Sequence, residues 1–129
     1  MMYMTVNKPK HLKVNTLDRV VAFACDYLDL DIDLEVRFEK LRDFQYGFCD
    51  YDEDEVSITI SRNLSEADTI RTIFHELVHV KQYEDGRLEA GIPQRWMGNE
   101  YDEDYENLPW EIEAFDLEQK MVDIYSESV

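Results

Sequence analysis

The chain predicts an α+β domain in which a small sheet packs on helices. Three stretches carry helical spacing of apolar residues, three others alternate apolar and polar residues, and the two periods never overlap. At 129 residues this is one domain, spanning residues 1–129. Segment 16–29 places Leu17, Val20, Val21, Ala24, Tyr27 and Leu28 at helical spacing, with Asn15 as the expected N-cap and Asp18 three residues on. The period then falls to two. Leu34, Val36 and Phe38 alternate with Glu35, Arg37 and Glu39, which predicts a half-buried strand. Phe44, Tyr46 and Phe48 repeat the pattern, and Val56, Ile58 and Ile60 alternate with serine and threonine. The acidic stretch 50–55 reads as the turn joining the second and third strands into a hairpin.

Ser65 followed by Asp68 is a capping signal, and it opens a helix expected to run to about Glu84, with Gly86 placed to end it. Residues 86–108 have no period and are expected as an irregular loop. Pro109 suits the first turn of a last helix that reaches about Tyr125. The expected sheet therefore has three strands, antiparallel or mixed, between an N-terminal helix and two later ones.

Charge excludes several functions. A net charge of −17 repels phosphate backbones and anionic membrane surfaces, so neither nucleic acid nor membrane is an expected partner. No segment approaches the ~20 apolar residues of a membrane span. Residues 1–14 lack a secretory apolar run, so a soluble, cytoplasmic protein is expected. Cys25 and Cys49 are too few for a disulfide framework and read as free thiols facing the core.

His75-Glu76-Leu77-Val78-His79 spells H-E-x-x-H. On a helix the two imidazoles stand one turn apart on one face, within reach of one Zn²⁺, and the intervening glutamate can act as base on a water at the metal. The rest of this helix is consistent with that use. Ile70, Ile73, Phe74, Leu77, Val78 and Val80 crowd one side, so the histidines and Glu76 turn toward the other.

A catalytic zinc takes a third protein ligand. The only other histidine able to serve is His11, in a segment without structural signal. The longer H-x-x-G-x-x-H continuation fails, because Gln82 and Asp85 stand where it needs Gly and His. The last helix offers carboxylates. Trp110, Ala114, Phe115, Leu117, Met121, Val122, Ile124 and Tyr125 form its apolar face, and Glu111 and Glu118 fall inside that face. A buried carboxylate requires a partner. Glu111 is the first candidate ligand and Glu113 the second; the competing use of Glu111 is an ion pair with Arg71 or Arg95.

His75-Glu76-Leu77-Val78-His79 on one helix, with Pro109-Trp110-Glu111-Ile112-Glu113-Ala114 opening a later one, resembles the gluzincins, in particular minimal gluzincins and small peptidase-like domains of phages and bacteria. The resemblance covers about residues 34–125. It implies a zincin-like fold with strand 56–61 at the sheet edge above the cleft, and Glu111, three residues before Ala114, as zinc ligand. Such families often carry Asp four residues after the ligand to orient a histidine. Phe115 holds that position here, leaving Glu118 or Asp116 for the task.

The function so implied is a zinc-dependent peptidase acting on peptide or protein substrates. His75, His79 and Glu111 hold the metal, Glu76 is the general base, and strand 56–61 binds an extended peptide by β-augmentation. Tyr101, Tyr105 and Arg95 are the oxyanion-donor candidates. Two other classes compete: a zinc-binding interaction protein without turnover, and an acidic decoy whose runs at 50–55 and 100–106 meet a basic partner.

Overall fold

Val56, Ile58 and Ile60 point to one side of their strand and are buried, while Thr59 and Ser61, on the other side, are buried as well. A strand covered on both faces belongs inside a sheet, and that is where the computed structural model, which describes residues 2–128, places it. In chain order the elements are β1 (Tyr3–Val6), α1 (Val14–Tyr27), β2 (Leu34–Glu39), β3 (Gly47–Tyr51), β4 (Val56–Ser61), α2 (Glu66–Glu84), the two-residue strands β5 (Leu88–Glu89), β6 (Arg95–Trp96) and β7 (Asn99–Glu100), a 3₁₀ turn (Tyr105–Asn107) and α3 (Pro109–Ser128). The main sheet has the order β1-β2-β4-β3, with β1–β2 and β2–β4 parallel and β3–β4 antiparallel.

The α+β class and the three helices are as expected. The three-stranded sheet is not: there is a fourth strand, β1, too short to show a period. Nor is segment 56–61 the edge. β4 lies between β2 and β3, so β3 takes the edge position. The hairpin of β3 and β4 stands, but β3 begins at Gly47 and extends through Tyr51, and the turn narrows to Asp52–Glu55, closed by paired backbone hydrogen bonds of 3.0 and 3.1 Å. Phe44 and Tyr46 fall outside the strand.

Helix α1 begins at Val14, with Lys13 rather than Asn15 at the N-cap and no side-chain cap. Leu12, 2% exposed, is anchored in the core just before it and fixes the entry of the chain. Helix α2 follows expectation: the Ser65 Oγ accepts from the Asp68 N–H at 3.1 Å, and Gly86 adopts φ +74° past its end. It packs against the sheet, α1 and α3, and Phe74 joins Phe23 of α1 and Tyr125 of α3 in an aromatic cluster with centroids 5.3–5.8 Å apart. The loop after α2 is less irregular than its sequence, since β5–β7 form a small antiparallel sheet.

The edge strand comes very close to α2 at Gly47. A Cβ there would stand 2.7 Å from the Thr59 carbonyl oxygen and 2.8 Å from Thr72 Cγ2. Gly47→Ala is therefore expected to destabilise the fold by about 1–3 kcal/mol. A denaturant midpoint unchanged by the substitution would mean that the strand can slide off the helix freely.

Candidate metal centre

Two consecutive turns of α2 present His75, Glu76 and His79, each 6–7% exposed, toward the first turns of α3. Leu108, ahead of Pro109, starts α3 by accepting the Glu111 N–H at 3.0 Å, which sets Glu111 one turn into the helix and on its buried side. Glu111 Oε1 lies 2.9 Å from His75 Nε2 and 3.1 Å from His79 Nε2. The Tyr105 hydroxyl donates to the same oxygen at 3.0 Å. Among the described residues, His75, His79 and Glu111 form a group whose donor atoms all lie within 4.8 Å of one another and could hold a metal ion.

The second nitrogen of each histidine is also engaged. His75 Nδ1–H donates to Glu118 Oε1 at 2.8 Å, and Arg71 Nη1 holds the other Glu118 oxygen at 2.9 Å. His79 Nδ1–H donates to Gln82 Oε1 at 2.8 Å. The Gln82 amide is wholly buried and donates in turn to the Trp110 carbonyl at 3.0 Å and to Glu113 Oε1 at 3.1 Å. With both Nδ1 atoms protonated, the lone pairs of a neutral imidazole pair fall on the two Nε2 atoms, which point at one spot beside a carboxylate oxygen. That donor set suits a borderline-soft divalent cation, and zinc is its common occupant.

The surrounding carboxylates bias the histidines toward charge. Burial opposes charge on His75, but its hydrogen bonds to Glu111 and Glu118 and the charge of Glu76 prevail and push its pKa up to about 9. Burial opposes charge on His79 too, but its hydrogen bond to Glu111 and the charges of Glu111 and Glu76 move it upward. Burial alone would raise Glu111, yet the two histidines hold it down to about 2. Glu76 is pushed upward by burial, partly offset by the histidine charges, so it is a stronger base than a free carboxylate.

Each sequence candidate has a definite place. Glu113, the second candidate, lies outside this group: Arg87 Nη1 holds it at 2.7 Å. Arg71 pairs with Glu118 and Arg95 with Glu100, so neither arginine neutralises Glu111. Asp116 pairs with Lys120 and leaves the orienting task to Glu118. Phe115 is not a core residue, being 48% exposed, but its ring lies 4.6 Å from that of His75. Tyr101 packs against Trp110, and Tyr105 alone of the three oxyanion-donor candidates touches the ligand set. His11 is bonded to the Leu64 carbonyl. Cys25 is in the core as expected, and Cys49 is half-buried and packs against the core while also lining the cleft with Glu76 and His79, where burial pushes its thiol upward.

Gln82 is a partner of His79 that the sequence expectation does not include. It sits three residues after His79, the spacing at which helical side chains meet. The residue that breaks the longer histidine motif is the one that orients the second histidine. Gln82→Leu removes that acceptor and the amide donor to the Trp110 carbonyl. Metal affinity is expected to fall about 10- to 100-fold, measured by competition with a chelating dye. Unchanged affinity would show that His79 needs no orienting partner.

Two cavities open on the centre and share Gly47, Glu76 and Tyr105. The one on the His79 side is about 200 Å³ and the one on the His75 side about 740 Å³. Edge strand β3 contributes Gly47, Phe48 and Cys49 to the smaller. No protein-family model, no curated protein and no solved structure matches this chain. Among the described residues, no helix is long and apolar enough to cross a membrane.

Proposed function

We propose that the protein is a zinc-dependent peptidase of the gluzincin kind, with a zincin-like arrangement of sheet edge, α2 and α3. The observation that carries this is the convergence of His75 Nε2, His79 Nε2 and a Glu111 carboxylate oxygen beside Glu76, in the wall of an open cleft. The donor set fits zinc, which when bound supplies Lewis acidity and a water of lowered pKa. Glu76 takes the proton from the attacking water and passes it to the departing amine. Tyr105, whose hydroxyl already reaches Glu111, is the side-chain donor at hand for the developing oxyanion. Glu118 and Gln82 hold the two imidazoles in the ligating tautomer. An extended substrate adds to the free edge of β3, not of β4, and so runs past Glu76.

Purified protein is expected to contain one zinc per chain, and a chelator is expected to stop its cleavage of a mixed peptide library until zinc is restored. Zinc without any cleavage would favour an interaction protein that keeps the metal and lacks turnover. Cleavage indifferent to chelation would remove the metal from the chemistry.

A further inference from the structure

Charge is sorted along the main sheet. Of the 13 lysines and arginines, Arg37, Arg71, Lys81, Arg87, Arg95 and Lys120 each hold a carboxylate. The others have no ion pair among the described residues, although the chain offers 30 Asp and Glu side chains. All of these unpaired cations lie at one end of the fold. Lys8, Lys10 and Lys13 follow β1, Lys40 and Arg42 follow β2, Arg62 follows β4, and Arg19 is in the second turn of α1. Because β1, β2 and β4 are parallel, they finish together. Their loops are tied to one another there. Arg62 Nη1 donates to the Asn7 carbonyl, the Arg62 N–H donates to the Glu39 carbonyl at 3.0 Å, and His11 Nε2 lies 3.0 Å from the Leu64 carbonyl oxygen. Lys10, Lys13, Arg19, Lys40 and Arg42 are exposed. The opposite end is the reverse. Asp29, Asp31 and Asp33 precede β2, residues 52–55 are all acidic and precede β4, and neither 20–36 nor 43–61 contains a lysine or arginine. An unpaired lysine is ordinary on a balanced surface. Here carboxylates outnumber cations more than twofold, and the unpaired cations still collect at one end.

We propose that this end of the sheet docks an acidic segment of a polypeptide. Three adjacent strands span about 10 Å, and loop 7–13 and α1 widen the face further, so it outreaches a single phosphate or carboxylate. A nucleic acid long enough to follow the face runs on past it, over a body of net charge −17. A short acidic stretch of polypeptide does not. Screening acts over about 8 Å at physiological ionic strength, so the nearest charges decide, and at this face those free to pair are cations. Arg42 also lines the larger cavity of the candidate centre, so the face leads to the cleft. A segment held there delivers the chain beside it to Glu76. That use, the recruitment of a substrate, rests on the peptidase reading; the docking itself does not.

The test uses zinc-loaded protein carrying Glu76→Gln, so that binding is read without turnover. Fluorescein-labelled hexaglutamate is titrated by anisotropy at about 0.1 M ionic strength, beside an uncharged Gly-Ser hexapeptide and a single-stranded DNA hexamer. Hexaglutamate is expected to bind at least about tenfold tighter than either, and to lose that advantage at about 0.5 M salt. Lys10→Glu with Lys13→Glu is expected to weaken it about fivefold or more. Arg95→Glu with Lys120→Glu changes the net charge equally, at exposed and paired positions elsewhere, and is expected to weaken it less than about twofold. Melting temperature and zinc content check that both doubles are folded. No binding of hexaglutamate at millimolar concentration, equal binding of the uncharged peptide, or equal loss in the two doubles overturns the face. Tighter binding of the DNA assigns it to nucleic acid and overturns the polypeptide. A salt-sensitive dimer of the protein in sedimentation, abolished only by the Lys10 and Lys13 changes, assigns it to a second copy and does the same. If hexaglutamate binds as expected but the zinc-loaded native protein cleaves no peptide, the docking face stands and the peptidase reading falls. Cleavage without such binding gives the converse.

Discussion

Glu76→Gln is expected to lower peptide cleavage by about 100- to 10,000-fold while leaving the zinc content at that of the native protein. Glutamine keeps the shape of the side chain, which is 6% exposed beneath the cleft, but cannot accept a proton from water. The zinc content is insulated because the convergent donors belong to His75, His79 and Glu111, not to residue 76. Single-turnover cleavage with metal analysis on the same sample checks both halves. A loss of less than about twofold would assign the proton transfer elsewhere, and loss of zinc would mean that Glu76 supports the metal.

Glu111→Ala is expected to weaken zinc binding by more than the ~10- to 100-fold typical of losing an orienting partner, since a ligand itself is gone. Two imidazoles would then face each other across a buried gap, with the Tyr105 hydroxyl unpartnered. Glu113→Ala, two residues on, is expected to leave zinc in place and to change stability by about 1 kcal/mol or less, because its ion pair with Arg87 is partly exposed. Metal analysis of both proteins after dialysis decides between the carboxylates. The reverse pattern would move the third ligand to Glu113 and undo the geometry of the centre.

The carboxylates of α3 show what a sequence can disclose and where it stops. Helical angles put Glu111 and Glu118 on the apolar face, and both are buried, because a helix fixes side-chain direction within a turn. The same angles put Phe115 in the core, yet it is nearly half exposed, since a periodicity does not reveal how wide a strip the neighbouring helix covers. Strand order failed for a similar reason. Alternation in 56–61 marks a strand but not its neighbours, and the clue to an interior position was Thr59, whose burial on the outer face depends on β2 and β3 together. β1 was lost to its length of four residues, and β5–β7 to strands of two, below any period. Gln82 was hidden by kind, because its partners are a neighbouring imidazole and a carbonyl 28 positions away.

The ligand set is split in the chain: His79 and Glu111 are 32 positions apart, with the small sheet and the acidic run between them. An ion gripping both would close that span as a covalent bridge would, in a protein whose Cys25 and Cys49 are free. Closing a loop of this length restricts the unfolded chain more than the folded one, so part of the affinity for the ion would return as resistance to unfolding. The cation would then be a fastener as well as a reagent. The segment between its grips, which borders the smaller cavity, would be the first part of the chain to loosen in a cell starved of zinc.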